Sequence, residues 1–363
     1  MSFIASIGLG IPQYVLTQEE VKDLLPKLFP TYISKLKRIS AIFDHSNIDQ
    51  RQVVVEKNWF QNQHSFKERN DLYTHQTVQL AIKSINDCLH NEHMLREEFP
   101  VEHIDVIVFV SSTGISTPSI DAYIINELNF RQDIVRMPLW GLGCAGGAMA
   151  LSRVHEWLQA FPTNNALIIS SELCSLTFQK DDQKMSNLVG TALFGDGVSA
   201  TLLMGNDSPQ KRFVRKRLPK ILHSHSHIEK DTLGIMGWDV TNHGFEVIFS
   251  KRIPTLIQSI WKRHVEHVLT TSETKQDSVT SWIVHPGGRK VIEEMMRVFH
   301  LTFADIRHSV DVLREHGNMS SATIFYILKR WIEGDSHEEY SIISSLGPGF
   351  SSEVLLTAWE DVK

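Results

Sequence analysis

Three polar residues sit in segments unlike an ordinary packed core, and as a set they suit acyl transfer. Cys144 stands in Leu139-Trp140-Gly141-Leu142-Gly143-Cys144-Ala145-Gly146-Gly147-Ala148-Met149-Ala150-Leu151, and Val154, Trp157 and Leu158 continue the apolar spacing. That spacing reads as an amphipathic helix, so Cys144 falls near a helix N-terminus, where unpaired N–H groups and the macrodipole ease ionisation of a thiol. Glycines at 141, 143, 146 and 147 each cost a helix up to about 1 kcal/mol relative to alanine. Here they let backbone and a substrate carbonyl approach the sulfur, although a structural cysteine at a tight packing point gives the same pattern. His285 follows the apolar run Trp282 to Val284, and Asn318 lies in Gly317-Asn318-Met319-Ser320-Ser321-Ala322. A histidine beside a cysteine supplies the base for nucleophilic acyl transfer, and imidazole plus amide can donate to the oxygen of a thioester enolate. Taken singly, His285 is one of 18 histidines and Asn318 is most simply a helix N-cap.

A long internal repeat is what brings the three together. Val110-Ser111 leads to Gly114, Cys144 and Ile168-Ile169-Ser170-Ser171; Val284-His285 leads to Gly288, Asn318 and Ile342-Ile343-Ser344-Ser345. Corresponding landmarks differ by 174 positions (284 minus 110, 318 minus 144, 342 minus 168), and the offset survives a long intervening loop. Each half alternates apolar strands with helices, and Ile104 to Val110 and Ala166 to Ser170 are the continuous apolar runs of a buried sheet. The expectation is an α/β fold, internally duplicated, with mainly parallel sheets layered between helices and halves at 1–215 and 216–363. Cys144 and Asn318 then open equivalent helices that pseudo-twofold symmetry brings together. His285 ends a strand, where parallel sheets hold their ligand crevice.

Residues 3 to 7 read as a first strand, and Gln18 to Leu28 as a helix with Thr17 and Glu20 as capping box and Pro26 kinking or shortening it. Tyr32 to Phe43 reads as a second helix, whose Lys35, Lys37 and Arg38 hold phosphates or face water. Ser65 to His90 is a third, with Val78, Leu80, Ala81 and Ile85 as core. The 363 residues carry a net charge of −6, which makes no case for nucleic acid or an anionic membrane as partner. The basic run Lys211 to Lys220 is read as a solvated face of an exposed strand. No leader and no stretch of about 20 apolar residues stands out, so no integral membrane association is expected. Cys88, Cys144 and Cys174 have no metal-ligand spacing and leave an odd cysteine, which favours a reducing, cytoplasmic compartment and no metal.

Cys144-Ala145-Gly146-Gly147, Leu193-Phe194-Gly195-Asp196-Gly197, Trp282-Ile283-Val284-His285-Pro286-Gly287-Gly288, Gly317-Asn318-Met319-Ser320-Ser321-Ala322 and Gly347-Pro348-Gly349 resemble the type III polyketide synthases of the chalcone synthase superfamily, over nearly the whole chain. The resemblance implies a thiolase fold, a homodimer, and a Cys144-His285-Asn318 centre condensing a starter acyl-CoA with malonyl-CoA. Both thioesters are substrates, and no cofactor is implied. It implies that Cys144 carries the acyl group while His285 and Asn318 assist malonyl decarboxylation. Phe194 matches one of two gatekeeper phenylalanines, and the second falls on Val247. Cys174, Thr177, Trp238 and Ser320 match positions that shape the cavity, and Thr117 matches one reaching into the partner subunit. Arg38 matches a basic CoA-binding position, whereas Ala41 and His45 replace two others; Gly287, Gly288 and Lys290 complete the expected CoA-binding set. Leu346 replaces an aromatic residue in the cyclisation loop, and Ser345 its leading glycine. These departures resemble the bacterial branch, whose members extend fatty acyl-CoA starters to alkylpyrones or alkylresorcinols. A ketoacyl synthase III of fatty-acid synthesis shares the Cys-His-Asn set, and a non-catalytic acyl-CoA-binding protein on the same scaffold is the alternative outside enzymes.

Overall fold

Apolar runs account for most strands of the computed structural model, which describes residues 1–215, 217–334 and 340–362. The first half holds β1 (Ser2–Gly10), β2 (Tyr14–Thr17), β3 (Gln50–Val53), β4 (Val106–Ser111), β5 (Val135–Trp140), β6 (Asn165–Leu173) and β7 (Asp196–Gly205). The second holds β8 (Arg217–Ile228), β9 (Met236–Thr241), β10 (Gly244–Phe249), β11 (Val279–Val284), β12 (Tyr340–Gly347) and β13 (Ser351–Asp361). The helices are α1 (Gln18–Leu28), α2 (Leu36–Asp44), α3 (Phe66–Leu89), α4 (Ile120–Glu127), α5 (Gly146–Ala160), α6 (Met185–Leu193), α7 (Ile253–Leu256), α8 (Lys262–Thr271), α9 (Arg289–Phe299), α10 (Arg307–His316) and α11 (Thr323–Glu333).

Nine strands form one sheet in the order β11-β12-β13-β8-β1-β7-β6-β4-β5. The order β4-β6-β7-β1 of the first half recurs as β11-β12-β13-β8 in the second, so the repeat is visible in topology as well as sequence. Within this sheet only β5 has no counterpart in the second half among the described residues. The halves join where β1 meets β8, at Ser2↔Ile221 and Phe3↔Lys220. The expectation of mainly parallel pairing is corrected: β11-β12, β4-β5 and β4-β6 are parallel, and the other neighbouring pairs are antiparallel. The last strand of each half turns back on its predecessor, and the three residues Pro348–Phe350 between β12 and β13 suffice only for an antiparallel return.

Helices α5 and α11, equivalent in the repeat, form the central layer. α5 packs on β4 and β6 of its own half and on β12 and β13 of the other, while α11 packs on β1, β7 and β11. A Cβ on Gly147 would stand 2.3 Å from the Ser321 carbonyl oxygen and 2.6 Å from Ile324, so glycine there permits the close approach of the two helix starts. Ala148, Leu151, Val154, Ile324, Phe325 and Leu328 fill the space between them, fully buried.

The anticipated capping box of Thr17 with Glu20 forms, and a second, not anticipated, joins Ser65 with Glu68 at the start of α3. Pro26 does not end α1, which continues to Leu28. The stretch expected as one helix over Tyr32 to Phe43 divides into a 3-10 turn at Pro30–Lys35 followed by α2. Leu80, Ala81 and Ile85 are buried as expected, while Val78 is half-buried. The basic run begins in a 3-10 turn, Pro209–Phe213, and ends in β8; its Lys216 lies outside the described residues. Among the described residues no helix is long and apolar enough to cross a membrane.

Candidate active site

Cys144 lies in a 3-10 turn, Gly143–Ala145, that runs directly into α5. Gly143 has φ +49, and a Cβ there would stand 2.7 Å from Pro348; one on Gly347 would stand 2.6 Å from Ala145. Glycine at both positions therefore seats the Gly347–Phe350 turn against the backbone of the nucleophile. Asn318 occupies the matching place before α11. Its N–H donates to Leu193 O (2.8 Å) and its carbonyl accepts from Gly195 N (3.0 Å), which fastens it between α6 and β7. Its side chain Oδ1 accepts from Ser320 N (2.8 Å) and lies 3.9 Å from Cys144 Sγ, while Nδ2 donates to Gly287 O (3.2 Å). One amide thus links the cysteine to the turn that follows His285. His285 closes β11, its N–H donating to Ser344 O at 2.8 Å. It is 3% exposed, and neither ring nitrogen has a hydrogen-bond partner among the described residues.

Desolvation acts on the protonation of both reactive groups, although Cys144 is half-buried and His285 is buried. It pushes the Cys144 thiol up to about 12, against the opposing pull of hydrogen bonds from Ser320 and Asn318. It holds the His285 imidazole down to about 3. The expectation that a helix start eases ionisation of Cys144 meets an opposing effect, because desolvation of a lone thiolate works against the fields at the end of α5. The resting pair is a thiol and a neutral imidazole, which keeps one N–H to donate and one lone pair to accept a proton.

A buried carboxyl that the motifs do not point to lies beside this set. Glu172, on β6 and 0% exposed, accepts from Ser321 Oγ (2.5 Å), Ser320 Oγ (3.2 Å) and Ser112 N (3.0 Å). Burial pushes it up to about 7, opposed by these hydrogen bonds. Its one sequence signal is an acid inside an otherwise apolar and small-residue strand. Ser320, expected as a cavity residue, instead joins Glu172 to the Asn318 amide, with φ +48.

An apolar cavity is lined by Cys174, Thr177, Phe194, Trp238 and Val247, as the resemblance implies. It extends past Gly190 and Thr191 to Leu16, Val21, Leu24 and Leu28, so α1 and the residue before its cap form one wall. No sequence feature assigned α1 that role. The ring missing at Val247 is made up from two sides: Phe194 meets Trp238 at 5.8 Å and Phe249 at 5.7 Å between ring centroids. Val247 itself pairs with Trp238 across the β9-β10 hairpin. Arg51 closes another wall. It is 2% exposed and donates to the carbonyl oxygens of Thr191, Ala192 and Phe194 and to Gln18 Oε1, placing a cation at the C-terminus of α6.

Leu346 is a correction. It is 5% exposed within the core of the second half, with Phe350, Val354 and Leu356, and does not line the cavity. It packs as a strand residue beneath the turn. Thr117 lies outside the cavity in an open groove with Asn70, Ile115 and Tyr123. Arg38 on α2 and Lys290 on α9 are exposed. Gly287 (φ +52) and Gly288 (φ +159) form the turn before α9, and Gly288 is the N-cap of that helix.

The family described as chalcone and stilbene synthases matches with its N-terminal domain over residues 1–208 and its C-terminal domain over residues 221–358. A Bacillus subtilis (strain 168) protein provisionally named chalcone synthase is 40% identical over 362 residues, covering 99% of each chain. Phloroglucinol synthase of Pseudomonas fluorescens is 27% identical over 99% of each chain. The crystal structure of 1,3,6,8-tetrahydroxynaphthalene synthase from Streptomyces coelicolor, a bacterial type III polyketide synthase, superposes with a TM-score of 0.89 at 25% identity, covering 99% of each chain.

Proposed function

Since the chain belongs to the chalcone and stilbene synthase family of type III polyketide synthases, we propose that it joins a long-chain fatty acyl-CoA starter to malonyl-CoA units by decarboxylative Claisen condensation, giving alkylpyrone-type products. The Cys144 sulfur attacks the starter thioester, His285 takes the thiol proton, and CoA leaves with a proton. Ionising either group alone is costly, whereas moving a proton from one to the other creates two opposite charges that stabilise each other. Malonyl-CoA then loses carbon dioxide, and its electron pair is held as an enolate by donors from His285 and Asn318. The Asn318 Nδ2 has a second hydrogen to offer beyond the one given to Gly287 O. The enolate carbon attacks the acyl carbonyl, the carbon-sulfur bond breaks, and Cys144 is restored.

The observation that carries this reading is the Asn318 amide, which reaches both Cys144 and the turn after His285 in a chain whose neighbouring cavity is apolar. An aliphatic starter matches walls of Leu16, Val21, Leu24 and Leu28, each buried methylene being worth about 0.8 kcal/mol. CoA itself is assigned to Arg38, Gly287, Gly288 and Lys290, with the exposed cations meeting its phosphates and the turn glycines admitting its pantetheine arm. Incubation with short, aromatic and long-chain acyl-CoAs plus malonyl-CoA, read by mass, tests the proposal. Preferred turnover of fatty starters to triketide or tetraketide pyrones supports it. An absolute need for acyl carrier protein would favour the ketoacyl synthase III reading, and an unmodified Cys144 would favour a binding protein.

The same reading includes a cytoplasmic homodimer. Strand β5 ends the sheet with one edge unpaired, and its Val135 and Trp140 are exposed, as are Ile115 and Tyr123 beside Thr117. An apolar sheet edge of this kind is ordinarily covered. Light scattering on the purified chain that gave only monomer mass would remove this part of the proposal.

A further inference from the structure

Five of the histidines gather in β8 and α8, away from the residues assigned to condensation. His223, His225 and His227 alternate along β8 and so share one face of the strand. His264 and His267 lie three apart on α8, which packs on β8 and β13. His225 Nδ1 and His264 Nε2 are 2.9 Å apart, sharing one hydrogen, and His264 Nδ1 is 2.7 Å from Ser352 Oγ. The His267 ring lies 4.6 Å from the His225 ring, centroid to centroid. His264 is 5% exposed, whereas His225 and His267 are exposed, so one ring is fixed and two can turn.

We propose that His225, His264 and His267 bind a divalent transition-metal ion of the zinc class, the ion replacing the proton now shared between His225 and His264. Among the described residues no three donors converge on a point as the rings stand, so binding requires movement. For His225 and His264 the change in separation is small: two nitrogens at about 2.0–2.1 Å from a tetrahedral ion lie about 3.3–3.4 Å apart, only a few tenths of an ångström beyond the present 2.9 Å. His264 offers Nε2 to the ion while its Nδ1–H donates to Ser352, the arrangement that fixes tautomer and direction in histidine ligands. His225 ligates through Nδ1 and carries its hydrogen on Nε2. His267 turns in as the third ligand and water completes the shell, with solvent giving the ion an entry path. His227 is engaged by Glu229 at 3.2 Å, which also meets Arg263 at 3.9 Å, so that carboxylate offsets neighbouring positive charge. Cysteine spacing, on which the expectation of no metal rested, does not report on such a site.

The full chain, stripped with chelator, is titrated calorimetrically with zinc chloride and, separately, with cobalt chloride followed by visible absorption. One equivalent is expected, with the intense absorption of tetrahedral cobalt. His225→Ala and His267→Ala, both at exposed positions, should each weaken binding by roughly tenfold or more, and Ser352→Ala by roughly tenfold through the lost support of His264. Absence of stoichiometric uptake overturns the proposal. So does uptake unchanged in the folded His225→Ala/His267→Ala double variant, which would place the ion among other histidines.

Discussion

Gly190 gives a way to separate access to the cavity from stability of the fold. It lies inside α6 and lines the cavity, and a Cβ added there would meet Phe194 at 3.4 Å and Val247 Cγ1 at 3.5 Å. Those are ordinary van der Waals distances, so Gly190→Ala fits without displacing either wall. Removing a glycine from a helix interior stabilises by up to about 1 kcal/mol. A single methyl at the narrows takes little from the cavity, and starter preference should barely move. Gly190→Leu carries the same backbone benefit but extends three more carbons into the space beside Phe194. If that side chain excludes two or three methylenes of a starter, at about 0.8 kcal/mol each, the ratio of kcat/KM for long over short starters falls by roughly 15- to 60-fold. Denaturant midpoints and competition between a long and a medium-chain acyl-CoA, measured on the same three preparations, check both halves. A Gly190→Leu enzyme that is folded and active yet keeps the wild-type ratio would refute the assignment of this cavity to the acyl chain.

Further outcomes follow from the same geometry. Cys144→Ala should abolish covalent loading while retaining part of the malonyl-CoA decarboxylation, and His285→Ala should impair both steps, an oxyanion donor being worth about 3 kcal/mol; intact-protein mass and carbon dioxide release report on the two steps separately. Val247→Phe should crowd Phe194 and Trp238 and shift turnover toward shorter starters, whereas a lowered melting temperature with unchanged selectivity would reduce Val247 to a packing residue. Glu172 is held up at about 7 against an unfolded value of 4.5, so between those pH values the folded chain keeps a proton that the unfolded chain has released. Its contribution therefore declines as pH rises through that window, by about 3 kcal/mol at most. Glu172→Gln should gain stability relative to wild type between pH 5 and pH 8, and a difference independent of pH would show that the carboxyl does not titrate there.

The duplication and the reactive set were legible because they leave local marks. Cys144 and Asn318 carry their own glycine and small-residue surroundings, and the 174-residue offset holds wherever the two halves kept the same strand, turn and helix. Thr17 with Glu20 was legible for the same reason, since a capping box closes within four residues, and Ser65 with Glu68 carries the same local pattern. Strand direction was not, because β7 and β13 read as apolar runs whichever way they pair. Nor was the position of Leu346, whose substitution at a cavity-like site says nothing about the face of β12 it occupies. Most partners of Glu172 and Arg51 lie more than a hundred residues away, and no short pattern encodes such a meeting. The direction of the Cys144 shift was not legible because helix position can be read from sequence, whereas the desolvation that the folded chain imposes on the sulfur cannot.

The continuous sheet has a mechanical meaning for the chemistry. The nucleophile belongs to one half of the repeat and the amide facing it to the other, so any rotation of the halves about their common axis changes the 3.9 Å separation of Cys144 Sγ and Asn318 Oδ1 directly. The backbone seam between β1 and β8 is only two residue pairs long, too short a weld to hold that distance alone. Alignment falls instead to α5 and α11, each wedged against strands from both repeats, which act as crossed keys in a single lock. Shaving the buried shafts of those keys, far from any substrate, should loosen the catalytic spacing before it loosens the fold.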